Sequence, residues 1–248
     1  MTHDLAYWLS SESKAQDWEL KYSLRSFEKF FPALGRVWIL GRHKPKWLNE
    51  ERVSRIAHPD PYRNNKDANL ISKLLRISLE AGLSEKFITS CDDHILLKPM
   101  TPEDFKPYYN NDMEGQTSWK KGRWHDRLRA TRDMLRDRGY PQREYEGHIP
   151  YMLEKSKVRT YLEFDYGNPP GYGVFTLYFN TVDTPNIAKM NSERIRAAFF
   201  ETVDNKAVEA KWNLGNKILS YNDAGLKSST LRERVEKLLP EPSSYEIL

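Results

Sequence analysis

The chain has 248 residues, of which 39% are apolar and 30% charged, and a formal net charge of +4, so it can bury a full core as one domain or as one with a large insertion. No apolar run approaches the ~20 residues of a membrane span, and the opening MTHDLAYWLSSES has no basic region followed by an apolar stretch, so neither a span nor a secretory leader is expected. A single cysteine, Cys91, excludes an internal disulfide framework and fits a reducing compartment such as the cytoplasm.

Leu5–Leu9 (LAYWL) reads as a first strand. From Asp17 onward, Leu20, Leu24, Phe27 and Phe31 follow the spacing of one helix face, and Pro32 ends that helix. VWIL at 37–40 reads as a second short buried strand, followed by Gly41, Arg42 and His43. Asn69–Ala81 predicts a helix with Leu70, Leu74, Leu75 and Leu79 turned inward and Gly82 just beyond its end. FITS at 87–90 reads as a third strand. This strand–helix alternation predicts an α/β fold with a mostly parallel sheet.

The third strand runs directly into Asp92, Asp93 and His94, and a second apolar run, Ile95–Leu97, follows at once. In open α/β sheets ligands bind beyond the carboxyl ends of strands. Adjacent carboxylates placed there suit a divalent cation, which in turn holds a diphosphate. Asp is also a common turn residue, so a plain turn is the competing reading. His94, a softer ligand than Asp, admits Mn²⁺ as well as Mg²⁺. Cys91, beside the pair, reads as a small packing residue at a strand end rather than a nucleophile.

Ser118–Arg143 changes character, with nine Lys/Arg against three Asp. Trp124, Leu128, Thr131 and Leu135 fit one helix face, and Trp119, Trp124 and Tyr140 are interleaved with the basic residues. The segment is either a solvated amphipathic helix or a surface that meets an anionic partner through phosphate attraction and stacking. Further on, Glu146 and His148 lie in EGHIPY, where Pro150 makes the backbone extended or turned. Tyr166–Tyr172 (YGNPPGY) reads as a turn-rich loop, Val174–Asn180 as a strand, and Asn191–Val203 as a helix with Ile195 and Phe199 inward. ILSY at 218–221 precedes Asn222 and Asp223, and a last helix through Leu231, Val235 and Leu238 stops at Pro240.

Several of these stretches occur in an order that resembles one family. LAYW (5–8), ELKYSLRSFEKFFP (19–32), PKWLN (45–49), LSEKFITSCDDH (83–94), HIPYM (148–152), LSYND (219–223) and LPEPSSYE (239–246) are similar to the conserved blocks of the Stealth proteins. These are capsular polysaccharide phosphotransferases whose animal relatives make the lysosomal mannose-phosphate tag. The YSLRS and PEPSSYE runs are the most diagnostic. The resemblance implies a GT-A-like mixed, mostly parallel sheet flanked by helices, in a single domain over 1–248 with a basic helical insertion at about 118–143. It also implies a nucleotide-sugar donor, a UDP-sugar before others. Carried over by position, the family's acidic pair falls on Asp92 and Asp93, its essential histidine on His148, its Asn-Asp on Asn222 and Asp223, and the YSLRS arginine on Arg25. One departure is plain: the family's arginine downstream of the histidine is missing from YGNPPGYGVF.

Asp92, Asp93 and His94 are thus the candidate metal ligands, set where leaving-group charge develops. His148 either binds the metal from the far side or deprotonates the acceptor, and Glu146 is the other candidate base. Arg25, Arg42 and Lys73 are candidate contacts to donor phosphate or base, and Trp8 or Tyr7 either stacks on the nucleobase or packs in the core. Three functions remain open. The missing arginine favours glycosyl transfer from a nucleotide sugar to a hydroxyl on an anionic acceptor, for which the basic segment suggests DNA carrying a hydroxymethylated base. The alternative is sugar-1-phosphate transfer to a surface polysaccharide. The third is a non-catalytic nucleic-acid-binding module, which fold alone does not exclude.

Overall fold

Five strands form the central sheet of the computed structural model, which describes every residue except 10–12, 14, 117–119, 202–203, 214 and 248, and every other side chain except those of 192 and 193. They are β1 (His3–Leu9), β2 (Leu34–Gly41), β3 (Val53–Ile56), β4 (Lys86–Ser90) and, after the short β5 (His94–Leu96), β6 (Tyr151–Glu154). Their spatial order is β3-β2-β1-β4-β6, parallel except for the antiparallel edge strand β6. β5 belongs to a second sheet, β7 (Arg196–Phe199), β8 (Ile218–Tyr221), β5, in which β7 and β8 are parallel and β8 and β5 antiparallel. The turn after β4 therefore carries the chain from one sheet into the other.

The helix α1 (Trp18–Phe30) buries the expected face: Leu20, Leu24 and Phe27 are inaccessible to solvent, with Phe31 just beyond. Burial of such side chains, about 1.5–3 kcal/mol each relative to exposure, ties α1 to the sheet. Helix α2 spans Lys66–Ile77, earlier than the predicted 69–81, because the Asn65 side chain accepts the Ala68 N–H at 3.1 Å and caps it. Its buried face is Ala68, Ile71, Lys73, Leu74 and Ile77, while Leu79, expected inward, lies past the helix end and is 75% exposed.

Helix α3 (Arg123–Asp137) buries Leu128, Thr131 and Leu135, but Trp124 is 45% exposed; Ser118 and Trp119 of the basic segment lie outside the described residues. Two expectations are corrected. Val174–Asn180, read as a strand for its β-branched and aromatic residues, is part of helix α4 (Val174–Thr181). Six of its eight residues are buried, and a helix enclosed on all sides shows no amphipathic period. The predicted helix over 191–203 is instead a single turn at Ser192–Ile195 followed by β7, where Ala197 and Phe199 alternate inward; Val203 lies outside the described residues. Helices α5 (Asn205–Asn213) and α6 (Ser229–Leu238) cover the second sheet through Val208, Leu231 and Val235. Among the described residues no helix is long and apolar enough to cross a membrane.

Candidate active site

The acidic pair sits where the parallel strands end. Tyr7 of β1 is in register with Ser90, the last residue of β4, and Asp92–Asp93 occupy the turn that follows. Burial, reinforced by the charge of Glu19, pushes the Asp92 carboxyl up to about 6. The Asp93 carboxyl is also pushed well above its ordinary value, by burial and by the charge of Asp92. Asp93 Oδ1 is buried and has no hydrogen-bond partner. Two crowded carboxylates with an unsatisfied oxygen suit a divalent, oxygen-seeking cation.

His94, the third expected ligand, is 2% exposed, with its Nε2 4.0 Å from Asp93 Oδ1. Its Nδ1 accepts the Cys91 N–H at 3.2 Å, and its Nε2 lies 3.2 Å from His148 Nδ1. Both ring nitrogens are thereby used within the protein. Cys91, Asp93 and His94 do bring ligand atoms within 4.8 Å of one another. Burial and the charges of Asp93 and Asp92, however, push the Cys91 thiol up and keep it protonated. The carboxylates that could hold a cation are those of Asp92 and Asp93.

The histidine pair has a defined polarity. Because His94 Nδ1 is an acceptor, neutral His94 carries its proton on Nε2 and donates it to His148 Nδ1. His148 is then left with its proton on Nε2, which faces Asp93 Oδ2 at 3.5 Å. Burial, aided by the charge of Arg196, lowers its pKa to about 4, so the ring is neutral near pH 7. The backbone at His148 is left-handed, with φ +50°, and its carbonyl accepts the Ser220 hydroxyl at 2.6 Å. Such a conformation on a non-glycine residue marks strain held by its surroundings.

His148, Glu146, Asn222, Arg196 and Trp124 line one cavity of about 650 Å³. The Glu146 carboxylate is open to it and accepts the Thr176 N–H at 3.0 Å, in the first turn of α4. Burial raises its pKa to about 7, against the opposing pull of Arg127. Asn222 uses its side chain to brace the turn after β8, accepting from Ala224 and Gly225 and donating to the Phe200 carbonyl at 2.9 Å. Asp223, exposed beside it, adds to the negative field at Asp93.

The other sequence candidates lie elsewhere. Arg25 forks onto both carboxylate oxygens of Glu246 at 2.7 Å and also reaches the Leu239 carbonyl at 3.0 Å. It clasps α1 to the C-terminal PEPSSYE run. Lys73 is buried against Asp60, 2.6 Å away, and Trp8 donates its indole N–H to Thr89 Oγ1 at 2.8 Å. Arg42 is exposed just past the end of β2. The basic face of α3 is largely paired: Arg127 with Asp67, Arg129 with Asp126, Arg132 with Asp133, and Arg136 with Asp133 and Asp137. Arg196 and Glu144 were missed from the sequence. The first lay in a misread helix, and the second, which lines the same cavity, fell outside the EGHIPY run that drew attention.

Residues 14–114 match conserved region 2 of the Stealth proteins. The receptor polysaccharide phosphotransferase WefC of Streptococcus oralis is 25% identical, over 96% of this chain and 90% of its own. The capsular polysaccharide phosphotransferase WcwK of Streptococcus pneumoniae is 26% identical over the same shares. The human N-acetylglucosamine-1-phosphotransferase subunits alpha/beta are 37% identical over 35% of this chain and 7% of theirs. Among solved structures, the galactosyltransferase LgtC in complex with donor and acceptor sugar analogs superposes with a TM-score of 0.52 at 12% identity, covering 97% of this chain and 96% of that one. The resemblance to Stealth proteins and the GT-A-like α/β fold are thereby shown, and together they support an enzyme of sugar transfer.

Proposed function

We propose that the chain transfers a sugar-1-phosphate from a nucleotide sugar to a hydroxyl of a saccharide acceptor. The observation that carries this is the crowded Asp92–Asp93 pair, with Asp93 Oδ1 unsatisfied and Asp93 Oδ2 3.5 Å from His148, a residue that lines one cavity with Glu146. Relatives that span nearly the whole chain are named polysaccharide phosphotransferases, which favours this reading over glycosyl transfer to DNA. The paired arginines of α3 add nothing for a nucleic acid.

A divalent cation held by Asp92 and Asp93 would neutralise charge on the diphosphate as the leaving nucleotide departs. The acceptor hydroxyl oxygen bonds to the phosphorus that bears the sugar. The phosphoanhydride bond on that phosphorus breaks, and the nucleoside monophosphate leaves with the electron pair. Glu146, whose pKa is matched to neutral pH, takes the hydroxyl proton. Neutral His148 donates its Nε2–H to an oxygen of the transferred group; with both nitrogens committed by His94 and this proton, the base role passes to Glu146.

The test is acceptor-dependent release of nucleotide from UDP- and GDP-sugars with Mn²⁺ or Mg²⁺, using bacterial polysaccharide fragments as acceptors. Release that vanishes in Asp93→Asn, while that variant stays folded, is expected. Release in the absence of added cation, or full activity in Asp93→Asn, would overturn the site.

A further inference from the structure

The side chain of Arg196 stands on the opposite face of β7 from Ala197 and Phe199, which pack into the second core. It projects into the cavity beside His148 and Asn222. One of its Nη atoms donates to the Gly147 carbonyl, a neutral acceptor. Its Nε is buried and makes no hydrogen bond, and no carboxylate among the described residues forms an ion pair with it. The Phe200 ring, 5.5 Å away, shields one side of the guanidinium.

Burial disfavours the charged form of this side chain, yet a guanidinium keeps its proton in a protein. Arg196 is half-buried, and the field of Tyr151 and Glu144 offsets its desolvation only in part, so the charge stays incompletely compensated, which is costly. The cost is relieved when an anion enters, and the planar fork suits a phosphate, which it can meet with two parallel bonds. A cavity of about 650 Å³ has room for a phosphorylated sugar.

We propose that Arg196 binds the phosphoryl group that travels with the sugar. It supplies from β7 the fixed cation that the Gly/Pro loop before Val174 lacks, on the face of the cavity that His148 and Glu146 share. This assignment rests on the sugar-phosphate transfer proposed above, but its test needs no turnover, so the two fail separately.

The experiment is titration of inorganic phosphate into the full chain at constant ionic strength, followed by melting temperature, with acetate as control. Phosphate is expected to raise the melting temperature of the wild type by several degrees, and acetate to leave it unchanged. Arg196→Lys, which keeps the charge but not the fork, should bind phosphate about tenfold more weakly, and Arg196→Gln should show no shift. Without phosphate, Arg196→Gln should melt no lower than wild type, since it removes an incompletely compensated charge. Equal shifts in wild type and Arg196→Gln, an equal effect of acetate, or no shift in wild type would each overturn the assignment. If Arg196→Gln does not fold, unchanged phosphate affinity in Arg196→Lys would do so.

Discussion

His94 sets the tautomer of His148. The 3.2 Å contact between His94 Nε2 and His148 Nδ1, with His94 Nδ1 already accepting from Cys91, leaves only Nε2 of His148 to face Asp93 and the cavity. A buried residue thus decides what an accessible one can do. His94→Phe keeps the ring volume and removes the donor. It should cost between about 10- and 100-fold in kcat, the range seen when a partner that orients a histidine is lost. Binding of the nucleotide sugar should be unchanged. Nitrogen-15 NMR of the imidazoles checks the cause: wild-type His148 should show its proton on Nε2, and the variant a mixture.

The Glu146 carboxyl, raised to about 7 from an ordinary value of 4.5, should impose an acidic limb on the rate, with activity rising as pH passes through about 7. Glu146→Gln should flatten that limb and lose about 10²-fold or more. The same shift has a stability consequence. Between pH 4.5 and about 7 the folded chain holds a proton that the unfolded chain has released, so this group's favourable contribution, complete at low pH, is lost as pH rises through that window. Glu146→Gln should therefore melt higher than wild type at pH 8, and a lower melting point there would contradict the assigned shift.

The clasp between Arg25 and Glu246 joins the two most diagnostic motifs of the chain, and both side chains are nearly buried, at 10% and 6% exposure. Removing one partner strands the other's charge. Arg25→Ala should cost about 3 kcal/mol in urea unfolding. The double variant with Glu246→Ala should recover part of that loss. Affinity for nucleotide, measured on the folded fraction, should stay unchanged, which separates a clasp from a donor contact.

Much of this was legible in the sequence because the parallel half of the sheet is locally encoded. Leu20, Leu24 and Phe27 follow one helical period, and Phe87–Ser90 runs unbroken into the acidic pair. Of the motif residues, His148 lies 3.5 Å from Asp93 and shares a cavity with Glu146. What was not legible depends on burial that only the assembled fold supplies. Val174–Thr181 is helical because packing on all sides overrides the strand preference of its residues. Arg196 was hidden because β7 is a four-residue strand whose period is set by its partner β8, not by its own composition. Arg25 and Lys73 looked free on paper because their partners, Glu246 and Asp60, are distant in sequence or outside any motif.

The identity of the released nucleotide tests the central claim most directly. The absent arginine in YGNPPGYGVF argued for attack at the sugar carbon, whereas the polysaccharide phosphotransferase relatives argue for attack at phosphorus. Chromatography of an acceptor-dependent reaction with a UDP-sugar separates the two. Release of UMP in a one-to-one ratio with consumed donor is expected; UDP in its place, with the sugar carried to the acceptor without phosphate, would contradict the account.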